Sequence, residues 1–164
     1  MDWTKQLIRF GVMMVLQVLL VDQVQLYGVC HPYIYVICLL MMPVTLSPKI
    51  DMLCGFVAGL LMDVFCNSLG VHMAACTLVM FSRRYILELI VNDVDRLNEQ
   101  ISWRSLGAEA MIKYTVILVL VHHFTVFMLS AWSWNHFGYV LVETAISGAM
   151  TIIFVLGYNI VKYR

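Results

Sequence analysis

The chain has 164 residues and a formal net charge of zero, and 62% of its residues are hydrophobic while only 12% are charged. This composition excludes an ordinary soluble domain, in which about a quarter of the residues are charged, and indicates a polytopic membrane protein. A nucleic-acid partner is not expected, because the chain has no basic excess to neutralise phosphates. The five cysteines form no C-x-x-C pair, so neither a disulfide framework nor a metal site is expected.

Six apolar segments follow one another along the chain, and they predict an all-α protein with six transmembrane helices. The predicted spans lie at about 7–27, 33–46, 50–66, 71–91, 109–130 and 137–158. The second is short, since a helix of 14 residues covers about 21 Å of a hydrocarbon layer roughly 30 Å thick. The fourth reaches Arg83 and Arg84 after about a dozen apolar residues, so it is also short unless these arginines extend to the membrane surface.

An amphipathic helix is predicted over about 84–101, after the apolar part of the fourth span. Its apolar residues recur with a helical period and charged residues occupy the other faces; the apolar set is Ile86, Ile90, Val94, Leu97 and Ile101. We interpret this segment as a helix at the cytoplasmic membrane surface. Either it rests on lipid or on the protein's own bundle, or it is a docking surface for a cytoplasmic protein.

The distribution of basic residues predicts the orientation. All ten lysines and arginines lie in or next to the N-terminus, the second loop, the fourth loop and the C-terminus. The loops at 22–32, 67–70 and 131–136 contain none. Under the positive-inside rule both termini are therefore cytoplasmic, and the number of spans is even.

The third span carries an aspartate and two glycines on one face. Gly55, Gly59 and Asp63 recur every four residues, which predicts that a second helix packs closely against the glycines. Asp63 is expected at the outer end of this span, beside a tight turn that includes Gly70. We interpret Asp63 as a residue that locks this helix junction, in preference to a group that takes part in transport or proton chemistry.

Further polar residues are placed by this topology toward the outer side of the membrane. They are Asp22, His72, His122, His123 and Glu143, and no lysine or arginine is there to pair with them. Polar groups in such positions form hydrogen bonds, line a substrate or proton path, or contact a partner, and the sequence leaves these three alternatives open. Glu143, Ser147 and Thr151 share a stripe of the sixth span, with Gly148 nearby, which indicates a second helix-packing face.

The chain contains no catalytic motif. His122 and His123 are adjacent and therefore point about 100° apart on a helix, so they cannot both bind one metal as an i, i+4 pair would. The motifs H-E-x-x-H, G-x-S-x-G and Walker A do not occur. We therefore expect a protein that is not an enzyme and that needs no cofactor.

The middle third of the chain resembles the rod shape-determining protein MreD family. The resemblance is carried by a Gly-x-x-x-Asp helix at 55–63, a turn and helix start at 69–72, and a basic pair followed by tyrosine at 83–85. Gln17 ahead of a Gly-to-Pro turn, the histidine pair and the chain length are also similar. The acidic and basic loop at 92–104 and Tyr33-Ile-Tyr35 are similar to the variant found in Bacteroidetes-type bacteria.

This resemblance implies a non-enzymatic scaffold in the bacterial inner membrane that supports rod shape and lateral peptidoglycan synthesis. Its implied partner is an MreC-like single-span protein, which links it to the MreB filament, RodA and the elongation transpeptidase. The implied fold is similar to the substrate-binding S-components of energy-coupling-factor transporters, so a small-molecule carrier is the alternative function. The candidate partner-binding or helix-packing residues are Gly55, Gly59, Asp63, Gly70, His72, Glu143, Ser147 and Gly148, with Asp22, His122 and His123 as a polar cluster.

Overall fold

The computed structural model describes residues 3–21, 30–44, 47–91, 94, 101–132 and 134–163. Within these ranges the chain is helical and has no strand, which confirms the predicted all-α class. The long helices are α1 (Trp3–Leu16), α3 (Pro48–Cys66), α4 (Val71–Ile90), α6 (Ala108–Ala131) and α7 (Phe137–Tyr163). The short elements are α2 (Val36–Leu40), α5 (Trp103–Leu106), a π-helical turn (Gln17–Val21) that extends α1, and a 3₁₀ turn (Trp134–His136).

Two of the helices are long and apolar enough to cross a membrane. They are Ala108–Ala131 and Phe137–Lys162, with 24 and 26 residues. At 1.5 Å per residue they are about 36 and 39 Å long, which exceeds the roughly 30 Å of a hydrocarbon layer. They coincide with the fifth and sixth predicted spans.

Local sequence explains where α3 and α4 begin and end. Pro48 occupies the first turn of α3, where its missing N–H is not needed. The helix stops at Asn67, which has the left-handed φ of 52°, and α4 follows Gly70, whose φ is 80°. Glycine is the residue that adopts this conformation without strain. The bounds of both helices therefore agree with the predicted third and fourth spans to within two residues.

The long helices pack in chain order, with α3 on α4, α4 on α6 and α6 on α7. The short helix α2 contacts α1, α4 and α6, and all of its residues are buried. Leu39, Leu40 and Met41, at its end, are among the largest fully buried side chains. The core is therefore organised around α2, a helix of only 5 residues.

The predicted second span at 33–46 is wrong as a continuous helix. Only Val36–Leu40 is helical, and the described backbone on either side of it is irregular. Irregular backbone at membrane depth is tolerated only where protein buries it, because lipid offers no hydrogen-bond partner. The apolar composition of this segment therefore reflects burial inside the protein and not contact with lipid.

The predicted amphipathic helix at 84–101 is also interrupted. α4 ends at Ile90, and Val91 has an extended backbone with φ −124° and ψ 127°. Val94 and Ile101, two of the five predicted apolar positions, are buried in the core. An exposed docking face cannot include them, because their side chains are already covered by the protein.

The other three apolar positions of the predicted amphipathic helix are Ile86, Ile90 and Leu97. Ile86 and Ile90 are half-buried and pack against the core from the last turns of α4. Leu97 lies outside the described residues. The helical period in this part of the sequence thus arises from residues that pack on the bundle at the end of α4 and beyond it.

Candidate functional site

We use the name core segment for residues 30–44, which include α2. Its first residues are held by two hydroxyl side chains of α7. Ser147 Oγ accepts a hydrogen bond from the backbone N of His31 at 2.9 Å. Thr151 Oγ1 accepts one from the backbone N of Tyr33 at 3.0 Å. These bonds satisfy donors that the irregular backbone cannot pair within itself.

Gln17 holds the core segment from the side of α1. Its Oε1 accepts a hydrogen bond from the backbone N of Ile34 at 2.7 Å, and its Nε2 donates to the carbonyl of Pro32 at 3.0 Å. The Gln17 side chain is fully buried. A buried amide is costly unless its donor and acceptor are both used, and here the backbone uses both. Gln17, Ser147 and Thr151 therefore act together as one polar clamp.

Arg83 of α4 holds the other end of the core segment. Its Nη1 donates to the carbonyl of Leu39 at 3.2 Å, and its Nη2 donates to those of Met42 and Pro43, both at 2.8 Å. Asp51 of α3 neutralises the guanidinium, with Nε and Oδ2 3.4 Å apart. The last carbonyls of a helix have no partner within it, and the guanidinium supplies donors in a fixed fork.

The sequence leaves open whether Arg83 extends to the membrane surface, and the structure places its side chain fully inside the protein. Inside the protein, the carbonyls of Leu39, Met42 and Pro43 provide hydrogen-bond acceptors and the Asp51 carboxylate provides the counter-charge. At a membrane surface, water and lipid headgroups would supply both. Tyr114 of α6 adds a hydrogen bond from its hydroxyl to the carbonyl of Leu40 at 3.0 Å. The end of α2 is thus fixed from α3, α4 and α6.

A buried cluster of aromatic and polar side chains surrounds the beginning of α2. The Tyr35 hydroxyl lies 2.8 Å from His122 Nε2, 3.2 Å from His72 Nδ1 and 3.4 Å from Cys76 Sγ. The Tyr33 ring packs among the imidazoles, with its centroid 5.1 Å from those of His72 and His123 and 5.5 Å from that of His122. We call Tyr33, Tyr35, His72, Cys76, His122 and His123 the histidine–tyrosine cluster.

His123 connects this cluster to the polar clamp. Its Nδ1 lies 2.9 Å from the carbonyl of Val119 and its Nε2 lies 3.0 Å from Thr151 Oγ1. A carbonyl only accepts, so in the neutral ring Nδ1 carries the proton and Nε2 accepts one from the Thr151 hydroxyl. Thr151 then donates to His123 and accepts from the Tyr33 backbone. The two hydrogen bonds orient each other.

His122 has a different arrangement. Its Nε2 faces the Tyr35 hydroxyl, whereas its buried Nδ1 has no hydrogen-bond partner within the described part of the chain. Because Nδ1 has no partner, the position of the proton on the ring is not determined. Either Tyr35 or His122 can therefore be the donor in the hydrogen bond between them. Among the described residues, no set of three His, Cys, Asp or Glu side chains is placed to hold a metal ion.

Asp63 locks the junction between α3 and α4, as the sequence predicts. Its Oδ1 accepts hydrogen bonds from Ser68 Oγ at 2.5 Å and from the backbone N of His72 at 2.9 Å, and its Oδ2 accepts one from the backbone N of Met73 at 2.9 Å. The first N–H groups of a helix lack partners inside it, and the positive end of the helix dipole favours a carboxylate there. Asp63 thus caps α4 from the neighbouring helix.

The two glycines of the third span are covered by α4. A Cβ at Gly59 would lie 2.4 Å from the carbonyl O of His72 and from Cα of Met73, and a Cβ at Gly55 would lie 2.7 Å from the carbonyl O of Cys76. The helix predicted to pack on these glycines is therefore α4 of the same chain. Contact of a partner protein at Gly55 and Gly59 is excluded by this packing.

The predicted stripe on α7 also faces the protein interior. Ser147 and Thr151 are fully buried in the polar clamp, and a Cβ at Gly148 would lie 3.3 Å from Leu120 of α6. Glu143 is half-buried at the edge of this face and contacts the hydroxyl of Tyr139 one turn earlier. Asp22, the remaining member of the predicted outer cluster, lies outside the described residues.

The structure adds two tyrosines to the group of histidines that the sequence places on one side of the membrane. His72, His122 and His123 are predicted as polar groups near the outer side, but Tyr33 and Tyr35, which join them, are absent from that prediction. A signal for Gln17 exists, since an amide side chain within an apolar run requires a polar partner. The chain matches no known family model, no curated protein and no solved structure.

Proposed function

We propose that the protein is a non-enzymatic, multi-pass scaffold of the bacterial inner membrane that binds an MreC-like single-span protein and supports cell elongation. The observation that carries this proposal is the filled interior. The centre of the bundle is occupied by the core segment, whose polar groups are paired with Gln17, Arg83, Ser147 and Thr151. Such an interior suits a rigid body that presents its outer surface to other proteins. The MreD resemblance supplies the identity of the partner.

The outer surface supports the membrane location. Large apolar side chains project outward from α3 and α7, among them Leu53, Phe56, Val64, Val142 and Ile153. Exposed apolar surface of this extent is unfavourable in water and favourable in lipid. Helices α3 and α4, with 19 and 20 residues, are about 28 to 30 Å long and so match a hydrocarbon layer.

The buried charged residues of α3 and α4 are compatible with such a location. Asp51 and Arg83 neutralise each other inside the protein, and Asp63 accepts three hydrogen bonds at the α3–α4 junction. Ionisable residues at membrane depth face the protein interior and are paired, which is the arrangement of these three.

An even number of crossings requires the core segment to bring the chain back across the membrane. Its beginning contacts His72 and its end contacts Arg83. These two residues are 11 positions apart on α4, or about 16 Å along the helix axis. The contacts of the core segment with α4 are therefore spread over about half the length of that helix. This arrangement supports a topology in which both termini are cytoplasmic.

The alternative of an S-component-like carrier has less support. Tyr35, His122 and His123 have no exposed surface, so a solute could reach the histidine–tyrosine cluster only after displacement of the core segment. A thermal-shift screen with small molecules distinguishes the two functions, because a ligand at 100 times its Kd adds about 2.7 kcal/mol of stability. The scaffold proposal predicts no such stabilisation by water-soluble metabolites.

Co-purification tests the scaffold proposal. The full chain is coexpressed with a tagged MreC-like single-span protein, and in parallel with an unrelated single-span protein carrying the same tag. We expect recovery in mild detergent with the first and not with the second. Lys113→Gln, which alters an exposed pair with Glu109, should keep wild-type recovery. Equal recovery with both tagged proteins, or none with either at matched expression, would contradict the proposal.

A further inference from the structure

An apolar groove of about 330 Å³ lies on the outside of the bundle between α1, α2 and α3. It is lined by Leu7 and Phe10 of α1, by Leu39 of α2 and Met42 just after that helix, and by Val57 and Leu61 of α3. The groove is partly open, and Leu7 and Leu61 are 67% and 41% exposed. In a protein that crosses the membrane as proposed, this opening faces the lipid.

A cationic side chain lies beside the groove. Gln6 lines the groove and accepts a hydrogen bond from Arg9, which is close enough to the Cys38 thiol to interact with it electrostatically. Lys162, near the end of α7, lies close enough to Arg9 and Cys38 to interact with both electrostatically. Arg9 of α1 and Lys162 of α7 are therefore within electrostatic range of each other beside this groove.

Two donors beside the groove are buried without a hydrogen-bond partner among the described residues. They are Gln6 Nε2 and Arg9 Nε. A buried donor without an acceptor costs about 1–3 kcal/mol, so an anionic acceptor at this position would be stabilised. Since the neighbouring charges of Arg9 and Lys162 repel each other, an anion between them would also relieve that repulsion.

We propose that this groove binds an anionic phospholipid, with one acyl chain between α1 and α3 and the phosphate on Gln6, Arg9 and Lys162. In the proposed orientation both termini are cytoplasmic, so the headgroup belongs to the cytoplasmic leaflet. Basic pockets between helices on that side are where acidic headgroups bind. The proposal rests on the proposed membrane location and not on binding of an MreC-like protein.

The chemistry of the groove favours a lipid over a helix of another protein. Its lining is apolar apart from Gln6, which is hydrogen-bonded to the cationic Arg9. A cleft of this kind suits a molecule that carries both a hydrocarbon chain and an anionic headgroup.

Lipid titration of the purified full chain tests the proposal. The protein is delipidated in uncharged detergent and titrated with phosphatidylglycerol, with phosphatidylcholine carrying the same chains, and with inorganic phosphate, while bound lipid is counted by native mass spectrometry. We expect phosphatidylglycerol to form a one-to-one complex at concentrations where the other two do not. Equal binding of phosphatidylcholine would overturn the headgroup assignment, and equal stabilisation by inorganic phosphate would overturn the acyl-chain assignment.

Matched variants test the headgroup contacts and the acyl-chain contacts independently. Arg9→Gln should weaken phosphatidylglycerol binding about fivefold, whereas Arg104→Gln, at an exposed position of α5, should leave it unchanged. Val57→Trp fills the groove and should weaken binding roughly tenfold or more, whereas Val64→Trp lies on α3 away from the groove. If Arg9→Gln does not fold, the tryptophan pair decides. Unchanged lipid binding in Val57→Trp would overturn the proposal, and loss of a co-purifying protein from that variant alone would assign the groove to a helix.

Discussion

Arg83 of α4 and Asp51 of α3 form an ion pair inside the protein, with Nε and Oδ2 3.4 Å apart and side-chain exposures of 0% and 5%. The same guanidinium donates to the carbonyls of Leu39, Met42 and Pro43. A charge in an apolar interior is tolerated only when it is paired and hydrogen-bonded. The end of the core segment is thus held by a guanidinium whose charge is balanced by Asp51.

Replacement of Arg83 by methionine should lower the free energy of unfolding by about 3–5 kcal/mol, because Asp51 would be left buried without its counter-charge. Arg83→Lys should be intermediate, since an ammonium lacks the planar fork that reaches several carbonyls. Unfolding in mild detergent by heat or denaturant measures both. The control is Arg84→Gln, which removes an exposed pair with Glu88 and should cost less than about 1 kcal/mol. Equal losses for Arg83→Met and Arg84→Gln would contradict the proposed role.

Alanine substitutions should distinguish a glycine that packs against another helix from a glycine with open space around it. At Gly59 an added Cβ would meet the backbone of α4, so Gly59→Ala should destabilise the protein by about 1–3 kcal/mol. At Gly157 of α7 nothing lies within 4 Å of the added atom, and alanine there should be neutral or stabilise by up to about 1 kcal/mol. Thermal unfolding of the two variants under the same conditions provides the comparison. Similar melting temperatures would show that α3 and α4 are not in close contact.

The role of Asp63 can be resolved by two substitutions of similar size. Asp63→Leu removes acceptors for Ser68, His72 and Met73, and it should cost about 1–3 kcal/mol. Asp63→Asn keeps one acceptor oxygen and should lose about half as much. We expect partner recovery to follow stability, with the asparagine variant retaining it and the leucine variant losing it. Loss of recovery in a fully stable Asp63→Asn protein would assign the role to the charge itself.

Thr151→Val should loosen the beginning of the core segment. Valine has nearly the same shape but cannot accept the Tyr33 N–H or donate to His123. Each unpaired buried group costs about 1–3 kcal/mol, so hydrogen exchange at the Tyr33 amide should accelerate by roughly tenfold or more. The matched control is Thr125→Val, since the Thr125 hydroxyl bonds only the carbonyl of Val121 on its own helix among the contacts described. Unchanged exchange at Tyr33 would exclude Thr151 from the clamp.

Part of this fold follows from the sequence because some signals are local. The bounds of α3, α4 and α6 are predicted within two residues, and α7 begins as predicted but continues to Tyr163, since long apolar runs are separated by turn residues such as Asn67 and Gly70. The close packing at Gly59 and the capping of α4 by Asp63 can also be predicted. Small residues allow close helix packing, and a carboxylate beside a helix start accepts hydrogen bonds from its free N–H groups.

The remaining features depend on contacts between distant parts of the chain. An apolar run such as 33–46 has the same composition whether lipid or protein surrounds it, so burial of α2 cannot be inferred from hydropathy. Arg83 near the end of an apolar stretch is equally compatible with the membrane surface and with a buried site. The histidine–tyrosine cluster joins α2, α4 and α6, and no local pattern indicates that Tyr35 lies between His72 and His122.

The central claim, that the chain crosses the membrane with the α3–α4 turn outside and the loop before α6 inside, is open to a direct measurement. Cys66 is exposed at the end of α3, and Arg104 is exposed on α5. Wild-type protein and an Arg104→Cys variant on a Cys66→Ser background are treated with a membrane-impermeant maleimide in intact spheroplasts and after permeabilisation. We predict labelling of Cys66 in intact spheroplasts and labelling at position 104 only after permeabilisation. Labelling at position 104 in intact spheroplasts, or protection of Cys66 until permeabilisation, would contradict the claim.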